Sequence, residues 1–278
     1  MEEMRCVMKY LAMIQARCGS SRLPNKVLKE LCNKPMLQQM IERVQRSKYT
    51  DEVMVVTTDL REDEEIIDLC SKIKVRVGTG SQNDVLDRFY QNAKPLKPEY
   101  VIRLTADCPC MDAELIDQAI LQMEDDTDYC GMLSGSFADG LDIEIMKFSA
   151  LEKAWSEAVH SYEREHVTQY IIQHPELFRQ QDFVSPIGYF GGHRWTVDEK
   201  EDFELITRVF EHFLIEQKQP EFGYQDILAY LKAYPDLIEL NKMYRRNEGL
   251  EKSIREDCIV GGVPYGNIRN GKRTEALS

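Results

Sequence analysis

The alternation of short apolar strands with amphipathic helices through the first half of the chain constrains the fold more than any other feature. The strand patterns cover residues 10–15, 52–57, 74–77 and 100–104. The helical patterns between them cover residues 35–48, 61–73, 84–93 and 112–123. Strands that alternate with helices of this length pack as a mostly parallel sheet with right-handed crossovers. We therefore predict an α/β fold that binds its ligands beyond the carboxyl ends of the strands.

The segment after the first strand combines positive charge with small residues. Arg17, Arg22 and Lys26 lie within ten residues of one another, with Gly19 and Ser20 between them. Glycine lets the backbone come close to a ligand, while serine hydroxyls and backbone N–H groups donate hydrogen bonds. Arginine guanidinium groups bind phosphates in a forked geometry. Because this basic loop follows a buried strand, the sequence predicts a binding site for a polyanion.

The chain as a whole is acidic, since 48 Asp and Glu residues outnumber 35 Lys and Arg residues and give a formal net charge of −13. Nucleic acids and membrane surfaces bind to broad basic faces, so we expect neither as a partner. No run of apolar residues is long enough to span a membrane, and the acidic first five residues do not resemble a signal peptide.

The eight cysteines include no C-x-x-C pair, which predicts reduced thiols and a cytoplasmic protein. Cys108 and Cys110 form the one close pair. A zinc site needs further ligands of matching spacing, and the neighbouring sequence has no second pair. We therefore interpret these two residues as ordinary thiols in or near a loop.

The second half of the chain has less regular patterns. Alternating apolar and acidic residues predict a half-buried strand at 141–145, and a second short strand is predicted at 194–197. The helical patterns of this half cover residues 150–159, 163–173 and 201–213. We predict a principal domain over residues 1–215, a helical C-terminal extension over 216–258 and a flexible tail over 259–278. The tail has too few apolar residues for a core of its own.

Polar clusters follow several of the predicted strands. They cover residues 57–59, 78–84, 103–109 and 195–198. Together with the basic loop, they predict a composite site at one edge of the sheet. Asp107 and Asp198 each end an apolar strand, where a carboxylate can cap a helix or stabilise a turn. Beside a triphosphate, the same two carboxylates can share a Mg²⁺ ion, which would support phosphoryl or nucleotidyl transfer.

Six motifs in sequence order identify a family that this chain resembles. They cover residues 15–28, 83–90, 103–109, 139–144, 162–168 and 194–198, and a weaker seventh covers 245–249. The chain resembles the cytidylyltransferases, and most of all the branch of spore-coat polysaccharide biosynthesis protein F. The CMP-ketodeoxyoctonate and CMP-sialic acid synthetases are wider relatives. The resemblance implies a three-layer α/β/α nucleotidyltransferase sandwich, similar to glycosyltransferase-A and Rossmann folds, with a mostly parallel sheet.

The resemblance also implies roles for individual residues. Arg17, Lys26 and Asp107 would be catalytic, since the first two would hold the CTP phosphates and offset charge on the leaving pyrophosphate. Asp107 and Asp198 would coordinate Mg²⁺. The implied nucleotide-binding residues are Gln15, Ala16, Arg17, Gly19, Ser20, Arg22, Lys26, Thr58, Asp59, Ser81, Asn83, Asp84, Arg88, Arg103, Thr105 and Asp107. The implied acceptor-binding residues are Asp142, Glu144, Tyr162, Arg164 and His166.

Several of these residues have alternative roles. Asn83 also suits the cap of the helix that begins at residue 84. Arg103 also suits a buried ion pair, and Asp142 and Glu144 also suit solvated positions on one strand face. His166 also suits an ordinary hydrogen-bonding position on a helix.

Asn25 stands where relatives more often have glycine. Asparagine tolerates positive φ angles better than most residues. We therefore predict a left-handed backbone conformation at this position.

The resemblance implies a CTP-dependent cytidylyltransferase with Mg²⁺ as its cofactor. It would activate an acidic sugar or a phosphorylated small molecule to its CMP- or CDP-linked form and release pyrophosphate, for surface polysaccharide or glycoconjugate synthesis. The subregion over about 128–190 would bind the acceptor and form a homodimer. Two alternatives stay open: a glycosyltransferase of the same sandwich class that uses a nucleotide sugar, and a non-catalytic nucleotide-binding subunit.

Overall fold

The computed structural model describes residues 8–257, and a seven-stranded sheet forms the centre of this part of the chain. The strands of the chain are β1 (Tyr10–Gln15), β2 (Glu30–Leu31), β3 (Lys34–Pro35), β4 (Glu52–Thr58), β5 (Arg76–Gly80), β6 (Tyr100–Thr105), β7 (Tyr129–Gly131), β8 (Glu144–Lys147) and β9 (Gln180–Asp182). The sheet has the order β5-β4-β1-β6-β8-β7-β9, and β2 pairs with β3 in a separate antiparallel ribbon. Within the sheet, β8 is antiparallel to both of its neighbours and every other pairing is parallel. The prediction of a mostly parallel sheet is thus confirmed.

Helices cover both faces of the sheet. They are α1 (Met36–Val44), α2 (Glu64–Lys72), α3 (Val85–Ala93), α4 (Ala113–Gln122), α5 (Phe148–Glu157), α6 (Ser161–Glu165), α7 (Gln169–Gln173), α8 (Lys200–Phe210), α9 (Tyr224–Ala233) and α10 (Glu248–Arg255). Successive residues of a strand point to opposite faces. On β1, Ala12 and Ile14 pack into the core with α1, α2, α4, α8 and α9, whereas Leu11 and Met13 pack into the core with α3, α5 and α7. Two cores on either side of one sheet make the predicted three-layer sandwich.

The C-terminal region is helical, as the sequence predicts. A π-helical turn (Glu211–Glu216) continues α8, and a 3₁₀ helix (Pro235–Leu240) follows α9. Phe213, Ile227 and Leu231 are buried in the same core as the sheet residues that face α8 and α9. The tail predicted over 259–278 lies outside the described residues.

Three predicted elements differ from the structure. The strand predicted at 141–145 begins only at Glu144, because the chain before it turns at Gly140, which has a φ of 106°. The strand predicted at 194–197 is replaced by an isolated bridge between Arg194 and Asp139. Its apolar residues are buried by surrounding loops and helices, so strand-like composition was misleading there. The helix predicted at 163–173 is divided into α6 and α7, because Val167 between them has a φ of 59°.

Backbone conformation at Asn25 agrees with the sequence. Its φ is 55° and its ψ is 26°, in the left-handed region. The turn that it forms directs Lys26 back toward the end of β6, where Lys26 contacts Asp107.

Gly140 lies where two segments of the chain cross at close range. A Cβ atom at this position would lie 2.4 Å from the backbone nitrogen of Thr196 and 2.5 Å from the carbonyl carbon of Trp195. Both neighbours are backbone, so they cannot rotate away as a side chain can. The positive φ adds a second cost for any residue with a Cβ.

We expect Gly140→Ala to lower the free energy of unfolding by about 3 kcal/mol, because overpacking and backbone strain act together there. Chemical denaturation followed by circular dichroism measures the change. Gly192→Ala is the matched control, since nothing lies within 4 Å of a Cβ built at Gly192. Equal stability of the two variants would contradict the close crossing.

Candidate active site

A cavity of about 670 Å³ lies beyond the carboxyl ends of β1 and β6. The basic loop forms one wall, and the segments that follow β6 and precede α8 form another. The opposite wall comes from the loop after β7, from β8 and from α10 with the residues just before it. The cavity therefore lies at the edge of the sheet where the sequence predicts a composite site.

Asp63 fixes the first turn of the basic loop. Its carboxylate accepts hydrogen bonds from the backbone N–H of Cys18 at 2.7 Å, from the backbone N–H of Thr58 at 3.2 Å, and from the Thr58 hydroxyl. Burial alone would raise the pKa of Asp63, but these hydrogen bonds outweigh it and lower the pKa below the usual value. The loop is thus attached to the end of β4 by a carboxylate that stays ionised.

Lys26 joins two carboxylates at the centre of the cavity. Its Nζ lies 3.1 Å from Oδ2 of Asp107 and 2.7 Å from Oδ1 of Asp198. Burial lowers the pKa of Lys26, but the two carboxylates outweigh burial and raise it above the usual value. Burial raises the pKa of Asp107, yet Lys26 and hydrogen bonds from Thr105 bring it down to about 2. Lys26 and Asp107 are therefore both charged at neutral pH.

Arg194 connects the same cluster to the base of α8. Its guanidinium lies 3.1 Å from Oδ2 of Asp198, 2.8 Å from Oδ2 of Asp139 and 2.9 Å from Oδ1 of the buried Asp202. Arg22 reaches Asp198 from the solvent side, with Nη2 at 3.0 Å from Oδ1. The Asp198 carboxylate thus contacts three cationic side chains.

The pKa of Asp139 is high for a carboxyl group in an ion pair. Burial and the neighbouring Asp142 raise the pKa of Asp139 to about 7, although Arg194 opposes them. Asp139 therefore titrates near neutral pH, whereas Asp107 does not.

The carboxylates of Asp107 and Asp198 fit Mg²⁺ only together with a bound phosphate. Asp107 and Asp198 converge on one cation, the Lys26 ammonium, so their oxygens already surround a position of positive charge. Among residues 8–257, no group of three or more His, Cys, Asp or Glu side chains is arranged to hold a metal ion. Mg²⁺ commonly takes one or two carboxylates and completes its shell with water and substrate phosphates. The pair is therefore a suitable partial ligand set.

Most of the predicted site residues are brought together. The predicted residues that line the cavity are Gln15, Ala16, Arg17, Gly19, Ser20, Arg22, Lys26, Arg88, Arg103, Thr105, Asp107, Asp142, Glu144, His166 and Asp198. The predicted residues that lie outside its lining are Thr58, Asp59, Ser81, Asn83, Asp84, Tyr162 and Arg164. Thr58 holds Asp63, and Ser81 accepts a hydrogen bond from the backbone N–H of Asp84.

Arg164 and Asp84 form a buried ion pair outside the lining of the cavity, whereas the sequence predicts both residues in the substrate site. Nε and Nη2 of Arg164 lie 3.0 and 2.9 Å from the two carboxylate oxygens of Asp84. Asp84 also caps α3 by accepting from the backbone N–H of Asp87. Tyr162 likewise faces away from the cavity, where its hydroxyl donates to Gln173 at 2.7 Å. The physical reason is that these groups tie α6 to α3 and α7.

Arg103 and Glu144 form an ion pair across β6 and β8 and also line the cavity. Arg103 Nε donates to Gln15 Oε1 at 3.2 Å. Glu144 accepts from the Tyr129 hydroxyl at 2.7 Å and from the Thr168 hydroxyl at 2.5 Å. Arg103 therefore forms a buried ion pair, which is the alternative role that its sequence position allows. The Glu144 carboxylate is hydrogen-bonded rather than solvated.

The last described segment closes the cavity wall through polar contacts. Arg246 pairs with Asp142 and donates to the carbonyl of Phe137 at 3.1 Å. Ser253 Oγ lies 3.0 Å from Nε2 of His166. No residue of α10 is buried. Burial lowers the pKa of His166, while the adjacent Glu165 opposes that shift.

No sequence pattern predicts a role for Asp139, Arg194 or Arg246, although each lies in one of the motifs. The signal for Arg194 is its position four residues before Asp198, but another of its three carboxylate partners, Asp139, is 55 residues away in the chain. Long-range partners of this kind have no local pattern that identifies them.

We expect Arg164→Ala to lower the free energy of unfolding by about 3–5 kcal/mol, because it leaves the buried Asp84 carboxylate without its bidentate partner. Urea denaturation measures this change. Arg179→Ala is the control, since Arg179 is half exposed and its ion pairs are on the surface, where little is lost. A stable Arg164→Ala protein with a raised acceptor KM would instead support an acceptor contact.

Comparison with known sequences identifies a family. Residues 11–250 match the sequence family described as cytidylyltransferase. An uncharacterized protein of Methanocaldococcus jannaschii is 38% identical over 253 residues, which cover 90% of this chain and 99% of that protein. Spore coat polysaccharide biosynthesis protein SpsF of Bacillus subtilis is 33% identical over 239 residues, which cover 81% of this chain and 95% of that protein.

Further relatives include enzymes and one solved structure. The 3-deoxy-manno-octulosonate cytidylyltransferase of Thermodesulfovibrio yellowstonii is 35% identical over 133 residues, which cover 46% of this chain and 52% of that protein. The structure of a cytidylyltransferase from Leptospira borgpetersenii superposes with a TM-score of 0.79 at 32% identity, covering 86% of this chain and 100% of that one. The match over residues 11–250, the shared fold and the charged cavity agree, and the chain belongs to the cytidylyltransferase family.

Proposed function

We propose that this cytidylyltransferase transfers CMP from CTP to an acidic sugar or a phosphorylated small molecule, with release of pyrophosphate. The observation that carries the proposal is the position of Lys26, Asp107 and Asp198 beside a basic loop, in a cavity large enough for two substrates. Similarity to a spore coat polysaccharide protein and to octulosonate cytidylyltransferases supports an acidic sugar and a role in polysaccharide synthesis.

Binding of the triphosphate would use the basic loop. Arg17 has no ion-pair partner among residues 8–257, and Gly19 and Ser20 line the cavity beside it. Arg22 and Lys26 would approach the phosphates from the Asp198 side. An acceptor oxygen would attack the α-phosphorus, form a new P–O bond and break the bond to pyrophosphate. The loop cations would offset the charge on that leaving group without a covalent enzyme intermediate.

Asp107 and Asp198 would hold Mg²⁺ once phosphates are present. The ion would supply further neutralisation of charge on the pyrophosphate. The Lys26 ammonium would keep the two carboxylates close together before the substrates bind.

The acceptor would occupy the side of the cavity nearest β8 and α10. Asp142, Glu144 and His166 line this side, and Arg245 and Arg246 contribute positive charge. The Arg245 side chain is 79% exposed, and its nearest carboxylate, Glu248, is 3.8 Å away. An accessible guanidinium of this kind suits an anionic acceptor.

We expect Asp107→Asn to lower kcat/KM for pyrophosphate release by about 100-fold or more, because it removes charge from the metal and lysine site. The assay presents each of the four nucleoside triphosphates with panels of sugar acids, sugar phosphates and small phosphates. Asp126→Asn, an exposed surface change, is the control and should keep full activity. Sugar transfer from a nucleotide sugar without pyrophosphate release would instead favour a glycosyltransferase.

We also infer a homodimer in the cytoplasm. Exposed apolar side chains gather on two loops that contact each other near the β9 edge of the sheet, and they are Leu133, Val184, Ile187 and Tyr189. Apolar groups clustered in this way favour association with a second surface.

The cysteines within residues 8–257 are all free thiols, in keeping with a reducing compartment. None of the helices between residues 8 and 257 has the length and apolar character that a membrane span needs.

We expect sedimentation velocity to find a dimer, and Tyr189→Asp to shift it to a monomer, because a charge replaces an apolar contact. Tyr49→Asp is the control, since Tyr49 is 42% exposed just before β4, which is five strands from β9 in the sheet. A wild-type monomer, or a dimer that withstands Tyr189→Asp and Val184→Asp together, would contradict this interface.

A further inference from the structure

Asp139 is a cavity-lining carboxylate with one oxygen held and the other available. Its Oδ2 lies 2.8 Å from Nη1 of Arg194. Within residues 8–257, no donor lies within hydrogen-bonding distance of its Oδ1. The side chain is 15% exposed and belongs to the cavity lining. Because a carboxylate accepts hydrogen bonds at both oxygens, Oδ1 can accept one from a group that binds in the cavity.

The backbone around Asp139 fixes the position of this carboxylate. The N–H of Asp139 donates to the carbonyl of His193 at 3.0 Å, and its own carbonyl accepts from the N–H groups of Trp195 at 2.6 Å and Thr196 at 3.0 Å. Arg194 lies between these partners in the chain and holds Oδ2. A group that acts on a reacting atom must be held in one geometry, and these contacts supply that restraint.

Four other carboxylates that line the cavity are poorly suited to accept a proton. Asp142 accepts from a backbone N–H through one oxygen and pairs with an arginine through the other. Glu144 is hydrogen-bonded at both oxygens. Lys26 contacts Asp107 and Asp198, and the pKa of Asp107 is about 2, so Asp107 is a weak base. Both oxygens of Asp107 and of Asp198 have partners, so Asp139 differs from all four carboxylates in its available oxygen.

Glu165 on α6 and Glu248 on α10 also line the cavity, but they are more open to solvent. Their side chains are 44% and 42% exposed, against 15% for Asp139. A more enclosed carboxylate has less hydration to lose before it meets a substrate, so Asp139 is the better placed of the three.

The charges that face Asp139 come from four segments of the chain. Burial is the largest effect on its pKa, and it raises the pKa together with Asp142 before β8 and Asp107 at the end of β6. Arg194 before α8 and Arg246 before α10 oppose this rise, and the resulting pKa is about 7. The carboxylate is therefore a stronger base than an ordinary aspartate. A general base is most effective when its pKa lies near the working pH.

Asp139 lies between the charged cluster and the acceptor side of the cavity. Arg194 contacts Asp139 through Nη1 and Asp198 through Nη2, so one guanidinium separates the two carboxylates. Asp142, three residues after Asp139, lines the side at which the acceptor would bind. An acceptor oxygen directed at the α-phosphorus would therefore lie near Asp139.

We propose that Asp139 is the general base that activates the acceptor. It would take the proton from an acceptor hydroxyl while that oxygen forms its bond to the α-phosphorus of CTP and the bond to pyrophosphate breaks. The proton would then pass from Asp139 to water as the product leaves. This inference rests on the proposed cytidylyl transfer and specifies the acceptor group as a hydroxyl, because a phosphate or carboxylate oxygen needs no base.

The test measures pyrophosphate release from CTP by wild type, Asp139→Asn and Asp139→Glu between about pH 5 and pH 9. The acceptors are 3-deoxy-manno-octulosonate, other sugar acids, sugar phosphates and inorganic phosphate. Phosphorus NMR of each product shows whether a hydroxyl or a phosphate oxygen attacked. Isothermal calorimetry measures the CTP affinity of each variant, which separates binding from the chemical step.

With a hydroxyl acceptor, we expect wild-type kcat to rise with pH and to level off above about 7, because Asp139 must be unprotonated to act. Asp139→Asn should lower kcat by about 100-fold or more and remove this pH dependence, with CTP affinity unchanged. Asp139→Glu keeps a carboxylate and should recover part of kcat. Loss of a structural contact alone would not abolish the pH dependence.

Asp117→Asn is the matched control, because Asp117 is also a buried, hydrogen-bonded aspartate but lies on α4, outside the cavity lining. It should keep the wild-type kcat and pH profile. Thermal unfolding shows whether each variant is folded. If Asp139→Asn does not fold, a wild-type kcat that is independent of pH would overturn the assignment of Asp139.

Full kcat in a folded Asp139→Asn protein, or products that come only from phosphate oxygens, would overturn the assignment of Asp139 while leaving cytidylyl transfer in place. No pyrophosphate release by wild type with any of these acceptors would instead contradict the proposed function, and this inference with it.

Discussion

The contact of the Lys26 ammonium with Asp107 and Asp198 is the interaction on which the site depends. The three residues come from the basic loop, the end of β6 and the segment before α8, which are separated by 81 and 91 positions in the chain. Partly buried charges are stable only when each has a partner of opposite sign. Because each of these groups has such a partner, the chain can bring them together without substrate. The arrangement of these three groups is therefore present without substrate, and the proposed reaction would need little reorganisation of the site.

Arg194 connects this charged cluster to the first turn of α8. It contacts Asp139, Asp198 and Asp202, so the loop after β7, the segment before α8 and the first turn of α8 share one guanidinium. Asp202 also accepts from the backbone N–H groups of Asp198 and Glu199. Movement of any one segment would leave a buried charge without its partner. The geometry of the site is thus coupled to the packing of the helical layer beneath it.

The parts of the fold and site that sequence predicts are those with local causes. The basic loop can be predicted because Gly19, Ser20 and the nearby cations are close together in the chain. The left-handed conformation of Asn25 can be predicted because it belongs to a local turn. Arg164 lies in a motif that predicts an acceptor contact, whereas its ion-pair partner is 80 residues away and its burial depends on the packing of α3 against α6. The buried apolar residues at 195–197 were interpreted as a strand, since composition cannot distinguish burial by loops from burial in a sheet.

The segment that carries α10 has a consequence for access to the cavity. Its hydrogen bonds and its ion pair to Asp142 join it to α6 and to the loop before β8, while none of its helical residues enters either core. Elements held in this way detach at lower free energy than elements that contribute to a core. The cavity wall that includes α10 can therefore open while the sheet, the basic loop and the lysine–carboxylate cluster remain intact. In the proposed reaction, the exchange of a bulky product for a new acceptor would then require only the detachment of this one helix.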